Sequence, residues 1–303
     1  MFEKLLKFSV IFLFVFLLAS CQPHQERKQQ FIDKDLESID EISDQIEELI
    51  EDEKSIFYGL YSPFEVSQIF ERIGAVYTPQ ILNPIGKSSL YSSSSKIALN
   101  LGVYSVDLSY IEMFNHPQDG LNYMLVINKL ARELGIPEEI LIIPLESFEK
   151  NLADTDSLVQ MAITTFAVTE NYLKEQNRES AAGLIILGSW VEALYIATTG
   201  LYDEENPNQE IIERIAEQKY SLNSLISLMK NYYDDPMVVY YLRMLKVLKK
   251  YFDEFEIYFD KGDFEIDTVN QVIKASKNHT VISREIVFKI KSIVEIIRGE
   301  III

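Results

Sequence analysis

The stretch from Ala181 to Leu201 constrains this chain more than any other. It reads Ala-Ala-Gly-Leu-Ile-Ile-Leu-Gly-Ser-Trp-Val-Glu-Ala-Leu-Tyr-Ile-Ala-Thr-Thr-Gly-Leu, with Glu192 as its only charge. A helix that is apolar all round is enclosed on every side, by a protein core or by a membrane. A central place in a protein core is the expectation here, because the surrounding helices are amphipathic and a mid-helix glutamate is unfavourable in lipid. Gly183, Gly188, Ala193 and Ala197 leave room for close neighbours. A second stretch, Ile97 to Phe114, behaves alike: Asp107 is its only charge before Glu112. Helical spacing sets Asp107 beside Val103, Tyr110 and Phe114. Both acids are therefore expected to be buried at least in part.

The rest of the chain repeats a helical grammar. Prolines stand at helix starts, where a missing N–H does no harm. Ser62-Pro63-Phe64-Glu65 has the cap, proline and third-position glutamate of a capping box, and Asn206-Pro207-Asn208-Gln209 repeats it with glutamine. Asp235-Pro236 opens another helix, and Gly135 before Ile136-Pro137 is a C-terminal stop. These signals predict helices at 36–56, 63–73, 96–115, 118–134, 137–152, 155–176, 179–201, 207–232, 236–259, 266–278 and 281–298. Only 11 glycines and 9 prolines serve 303 residues, too few for the turns of an all-β chain. No fixed repeat of residue identities emerges. The expected fold is all-α: stacked antiparallel helical hairpins, about ten helices around one continuous core, with no β-sheet.

One connection breaks this grammar. Residues 75–95 carry two prolines, a glycine and six serines without a helical period. Long irregular loops in compact domains are uncommon and are often functional. The segment is either a surface crossover tacked down by Tyr77, Ile81, Leu82, Ile85 and Tyr91, or a lid or binding loop.

The first residues read as an address. Lys4 and Lys7 precede an apolar run from Phe8 to Leu18, shorter than the roughly 20 residues a spanning helix needs. Leu18-Ala19-Ser20-Cys21 resembles the lipobox of bacterial lipoproteins. That resemblance implies cleavage before Cys21, a diacylglyceryl thioether on its sulfur and acylation of its amine. Such acyl chains anchor a protein to a membrane without a spanning helix. Cys21 is the only cysteine, so no intrachain disulfide is available. Gln22 stands where the family's inner-membrane retention signal has aspartate, which favours the outer membrane in a Gram-negative cell. The expected organisation is a signal peptide at 1–20, a lipidated cysteine and polar tether at 21–35, and a single helical domain at 36–303. The segments from Ala98 to Tyr110 and from Gly188 to Tyr195 are similar to stretches of uncharacterised all-helical envelope lipoproteins, and that likeness implies no activity.

Charge and motifs exclude several classes of function. The net charge of −19 argues against nucleic acid as a partner, since that affinity rests on neutralising phosphates. His24, His116 and His279 form no metal-binding spacing, and the chain has no nucleophile elbow, dinucleotide fingerprint or P-loop. Asp260-Lys-Gly-Asp263-Phe-Glu-Ile-Asp267 lacks calcium-loop spacing. No catalytic residue, metal site or cofactor is expected. Tyr232-Tyr233 and Tyr240-Tyr241 read as core and boundary residues rather than a sugar platform. The apolar end Ile301-Ile302-Ile303 either packs back onto the last helix or meets a partner.

A buried carboxylate is costly unless hydrogen-bonded or neutral, which makes Asp107 and Glu192 the candidate site. One reading has them fix helix packing by bonding a tyrosine hydroxyl, the Trp190 indole, a helix end, or Arg132, Arg178 or Arg243. The other has Asn100, Tyr104, Asp107, Trp190 and Glu192 line a pocket for a small polar ligand. The expected function is a lipid-anchored envelope protein with a non-enzymatic binding or scaffolding role, its partner a protein or small molecule. The alternative is a small-ligand receptor or enzyme using the two acids.

Overall fold

The computed structural model describes residues 75–137, 171–173, 175–176, 178–258 and 281–303, together with the backbone of 264–267, 272–275 and 279–280. All of these lie in the compact unit Asp52–Ile303. The leader, Cys21, the helices expected at 36–56, 63–73 and 137–152, and most of that at 155–176 lie outside the described residues. So do the capping box at Ser62 and the first residues of the acidic Asp260–Asp267 stretch.

Six α-helices are found among the described residues: α1 Ser94–Met113, α2 Pro117–Glu133, α3 Glu179–Tyr195, α4 Gln209–Lys230, α5 Pro236–Phe252 and α6 Arg284–Ile301. Four of the six start with capping chemistry, in which a side-chain oxygen satisfies an orphan N–H of the first turn. The Ser93 hydroxyl accepts from the Lys96 N–H at 3.2 Å, Asn208 from Glu210 at 2.9 Å, Asp235 from Met237 at 2.8 Å and Ser283 from Ile286 at 3.2 Å. Pro117 and Pro236 occupy first-turn positions. The cap of α4 is thus Asn208, not the expected Asn206. Gly135 ends α2 at a left-handed φ of 71°. The Gly135 N–H donates to Arg132 O and the Ile136 N–H to Ala131 O, each at 2.9 Å, the crossed pair that closes a helix C-terminus.

The packing centres on α3. α1 lies against it, with α2 on α1 and α6 and α4 also touching α3; α5 completes the group by meeting α4 and α6. By length and composition Glu179–Leu201 would cross a membrane, yet 67% of its most apolar window is buried inside the protein. Its last six residues, Ile196–Leu201, wind as a π-helix rather than continuing the α-helix.

α1 and α3 approach at two glycines. A Cβ on Gly188 would lie 2.0 Å from Leu99 O, and one on Gly102 would lie 2.1 Å from Ile185 O. No side chain could occupy either place, so the backbones touch directly. Gly183 likewise faces Tyr232, whose ring a Cβ would meet at 2.8 Å. Ala193, expected at a close contact, is exposed instead.

The described residues are mostly helical, as expected, and no sheet of more than two strands accompanies the helices among them. The departure lies after α5, which ends at Phe252 rather than 259. Phe255 and Ile257 are buried while Glu256 and Tyr258 are exposed, a two-residue alternation that belongs to extended chain. The helix expected at 266–278 is replaced by two antiparallel ladders. β1 Ile257–Tyr258 pairs with β4 His279–Thr280, and β2 Phe264–Asp267 pairs with β3 Val272–Ala275 in the register Phe264↔Ala275. Phe264-Glu265-Ile266-Asp267 alternates apolar and acidic residues, and β-branched Val272-Ile273 suits a strand better than a helix.

Candidate functional site

The segment from Pro79 to Tyr91 crosses the face where α1, α3 and α6 meet, in two short 3₁₀ turns, Pro79–Ile81 and Ile85–Ser89. It is partly surface, with Pro79, Gln80, Pro84, Ile85, Gly86, Ser89 and Leu90 exposed, and partly core. Leu82, Asn83 and Tyr91 are buried. Tyr77 stacks on His116, ring centroids 3.9 Å apart, and donates to Asp119 Oδ2 at 3.0 Å. Of the apolar residues expected to tack it down, Ile85 is exposed.

At the centre of this face Glu192 of α3 meets Arg298 of α6. Arg298 Nε donates to Glu192 Oε2 at 2.6 Å and Nη2 to Oε1 at 2.8 Å. This is the forked geometry in which a guanidinium binds a carboxylate most strongly. Glu192 is 0% exposed and Arg298 is 7% exposed. Arg298 also donates to Ile81 O at 2.9 Å, and its guanidinium carbon sits 3.9 Å from the centroid of the Tyr195 ring, a cation–π contact.

Asp107 of α1, also 0% exposed, lies close enough to this pair for its carboxyl to feel the charges of both Glu192 and Arg298. Its Oδ2 accepts the Asn83 backbone N–H at 3.0 Å. Burial and then the Glu192 charge hold the Asp107 carboxyl well above the usual carboxylate range, outweighing Asn83 and Arg298. Burial also pushes Glu192 up, opposed by Arg298 and Asp107. Of the two acids only Glu192 bonds the guanidinium, so Asp107 is the one whose neutral form the surroundings favour more. Burial alone would lower Arg298, but the bonds and charge of Glu192 reverse this and raise it.

A second ring of polar groups closes around the first. Asn83 Nδ2 donates to Tyr91 Oη at 3.1 Å and to Asn100 Oδ1 at 3.2 Å, while Asn83 O accepts from Tyr123 Oη at 3.0 Å. Tyr104 Oη donates to Pro84 O at 2.9 Å. Burial raises the hydroxyls of Tyr91, Tyr104 and Tyr123 above the ordinary tyrosine value, which leaves them neutral donors. Helix α6 runs to Ile301, three residues past the expected end. Its last carbonyls are taken up from outside the helix: Lys96 Nζ donates to Glu300 O, Asn100 Nδ2 to Ile301 O at 2.9 Å, and Lys87 Nζ to Ile302 O at 3.0 Å. Ile301 and Ile302 are buried and Ile303 is exposed.

Four of the five sequence-derived site residues thus meet. Asn100, Tyr104, Asp107 and Glu192 converge on the 79–91 segment. Trp190 does not join them: its indole N–H donates to Ser221 Oγ on α4 at 2.9 Å, because two residues along a helix turn a side chain to another face. The basic partner is Arg298 rather than Arg132, Arg178 or Arg243, and Asn83 organises the cluster. Among the described residues no three or more His, Cys, Asp or Glu side chains gather closely enough to hold a metal ion. Chemically, the arrangement is a buried hydrogen-bonded junction between three helices and a connecting segment. No protein-family model matches this chain, and neither does any curated protein or solved structure.

Proposed function

We propose that this chain is a lipid-anchored protein of the cell envelope whose helical domain has a non-enzymatic binding or scaffolding role. In this reading residues 1–20 are a signal peptide, Cys21 carries the acyl chains, residues 21–35 are a tether, and Gln22 directs a Gram-negative protein to the outer membrane. Stacked antiparallel hairpins, about ten helices in all, form the domain. The observation that carries the non-enzymatic part is the enclosure of Glu192: it is 0% exposed, and Arg298 occupies both of its oxygens. A general acid or base must reach the proton it moves, and an acid sealed in this way is committed to packing. The same enclosure counts against the alternative, a small-ligand receptor or enzyme using Asp107 and Glu192.

Mass spectrometry of the mature N-terminus, on full-length protein extracted from a bacterial envelope, tests the anchor. The expected species begins at Cys21 with acyl chains attached, and Cys21→Ser leaves an unprocessed, unacylated chain. An unmodified or uncleaved Cys21 in the parent overturns the reading.

A further inference from the structure

Two carboxyls and one guanidinium share a buried site, and their charges do not balance. With both acids ionised, Asp107, Glu192 and Arg298 would bury a net negative charge, which is strongly unfavourable. Besides Glu192 and Arg298, the ionisable groups whose charge is coupled to Asp107 include Tyr77 and Tyr91 before α1, Tyr104 on α1, Tyr123 on α2 and Tyr195 on α3, and Tyr110 lies one turn along α1; a tyrosine supplies no cation. Geometry agrees with the count. As a carboxylate, Asp107 would leave Oδ1 buried with no donor among the described residues. Protonated, Asp107 becomes a donor, and the neighbouring Glu192 carboxylate is an acceptor for it.

We infer that Asp107 and Glu192 hold one proton between them, and that this proton is the catch keeping α6 and the 79–91 segment docked on α1 and α3. Both segments hang on the same cluster. Arg298 binds Glu192 and Ile81 O at once, and the Asn83 N–H rests on Asp107. Loss of the proton sets a second carboxylate against Glu192 with only Arg298 to answer both, and the docked elements separate. The catch therefore opens on alkalinisation. A carboxyl whose folded pKa is raised contributes stability that is full below its unfolded value of about 4. That contribution falls as pH climbs towards the folded value, by up to about tenfold in the folding constant per pH unit.

The test compares the full chain with Asp107→Asn, both purified in detergent, by chemical denaturation from about pH 5 to about pH 9, below the tyrosine range. Asparagine keeps a hydrogen-bond donor towards Glu192 but has no proton to lose. The expected result is a ratio of folding constants, parent over variant, that falls as pH rises by up to about tenfold per unit. Amide exchange in 79–91 and 284–301, corrected for its intrinsic pH dependence, should accelerate in the parent alone. A ratio that stays constant across the range overturns the inference. If the asparagine variant does not fold, infrared spectra of the parent and of Asp107→Glu decide. A neutral carboxylic-acid carbonyl band at neutral pH that shifts in the glutamate variant supports the catch, and its absence from the parent refutes it. The outcome is independent of whether Cys21 is acylated.

Discussion

Arg298 sits where an amphipathic pattern calls for a leucine. The buried stripe of α6 runs Val287, Ile290, Val294, Ile297 and Ile301, and Arg298 falls four residues after Val294 and three before Ile301, within that stripe. A base on the apolar face of a helix is the counterpart of an acid in an uncharged one, and this is the legible signal for the partner of Glu192. Asp107 and Glu192 are easy to find because charge vanishes around them. Arg298 is hidden because α6 is otherwise an ordinary amphipathic helix, and Asn83 because polar residues are commonplace in a loop. The pair also makes a prediction at this scale. Removing one partner of a buried ion pair leaves the other uncompensated, so Arg298→Met should lower unfolding stability by about 3–5 kcal/mol in urea denaturation. Arg298→Lys should recover only part of this loss, since an ammonium cannot bind both Glu192 oxygens and Ile81 O with one planar fork. Equal stability of the methionine variant and the parent would show that the pair contributes nothing to the fold.

At the level of elements, helix positions are the readable part. The starts of α1, α2, α5 and α6 follow their capping residues and prolines to within a few positions, because caps and first-turn prolines act locally. What misleads is local as well. Phe264-Glu265-Ile266-Asp267 alternates with period two, and the apolar residues beyond it read as helical because four residues are too few to separate the two periods. The contact between α1 and α3 is half legible: Gly188 marks a close approach, but its counterpart Gly102 is identified only through the packing. The glycines of these helices imply opposite outcomes for one substitution. Gly188→Ala gains intrinsic helix propensity of about 1 kcal/mol. It also places a methyl 2.0 Å from Leu99 O, where backbone cannot yield, so the helices must move apart. The expected net effect is a loss of about 1–3 kcal/mol. Gly299 lies inside α6, and a Cβ added there would meet nothing within 4 Å; its replacement by alanine should instead gain up to about 1 kcal/mol. Thermal melts of both variants check the pair, and a stabilising Gly188→Ala would mean that α1 and α3 are not held in direct backbone contact.

For the whole molecule, charge acts at two ranges that salt separates. Forty-seven acidic and 28 basic side chains leave a net −19, and among the described residues most ion pairs, such as Lys129–Glu133 and Lys249–Asp253, lie at the surface. Exposed pairs are each worth little, so the dominant long-range term is repulsion within an acidic shell, which opposes the compact state. Raising salt from about 0.05 M to about 0.5 M shortens the screening length to a few ångströms and weakens that repulsion. The melting temperature is therefore expected to rise with sodium chloride. Glu192 and Arg298 lie inside the protein, where ions do not penetrate, and their link joins residues 106 apart in sequence. Salt should consequently raise the melting temperatures of the parent and of Arg298→Met in parallel, leaving the gap between them unchanged. Melts of both proteins across the same salt series measure the two terms separately. A gap that closes as salt increases would place the pair in contact with solvent, contrary to its burial; a parent that melts lower at high salt would mean that surface pairs outweigh the repulsion of the shell.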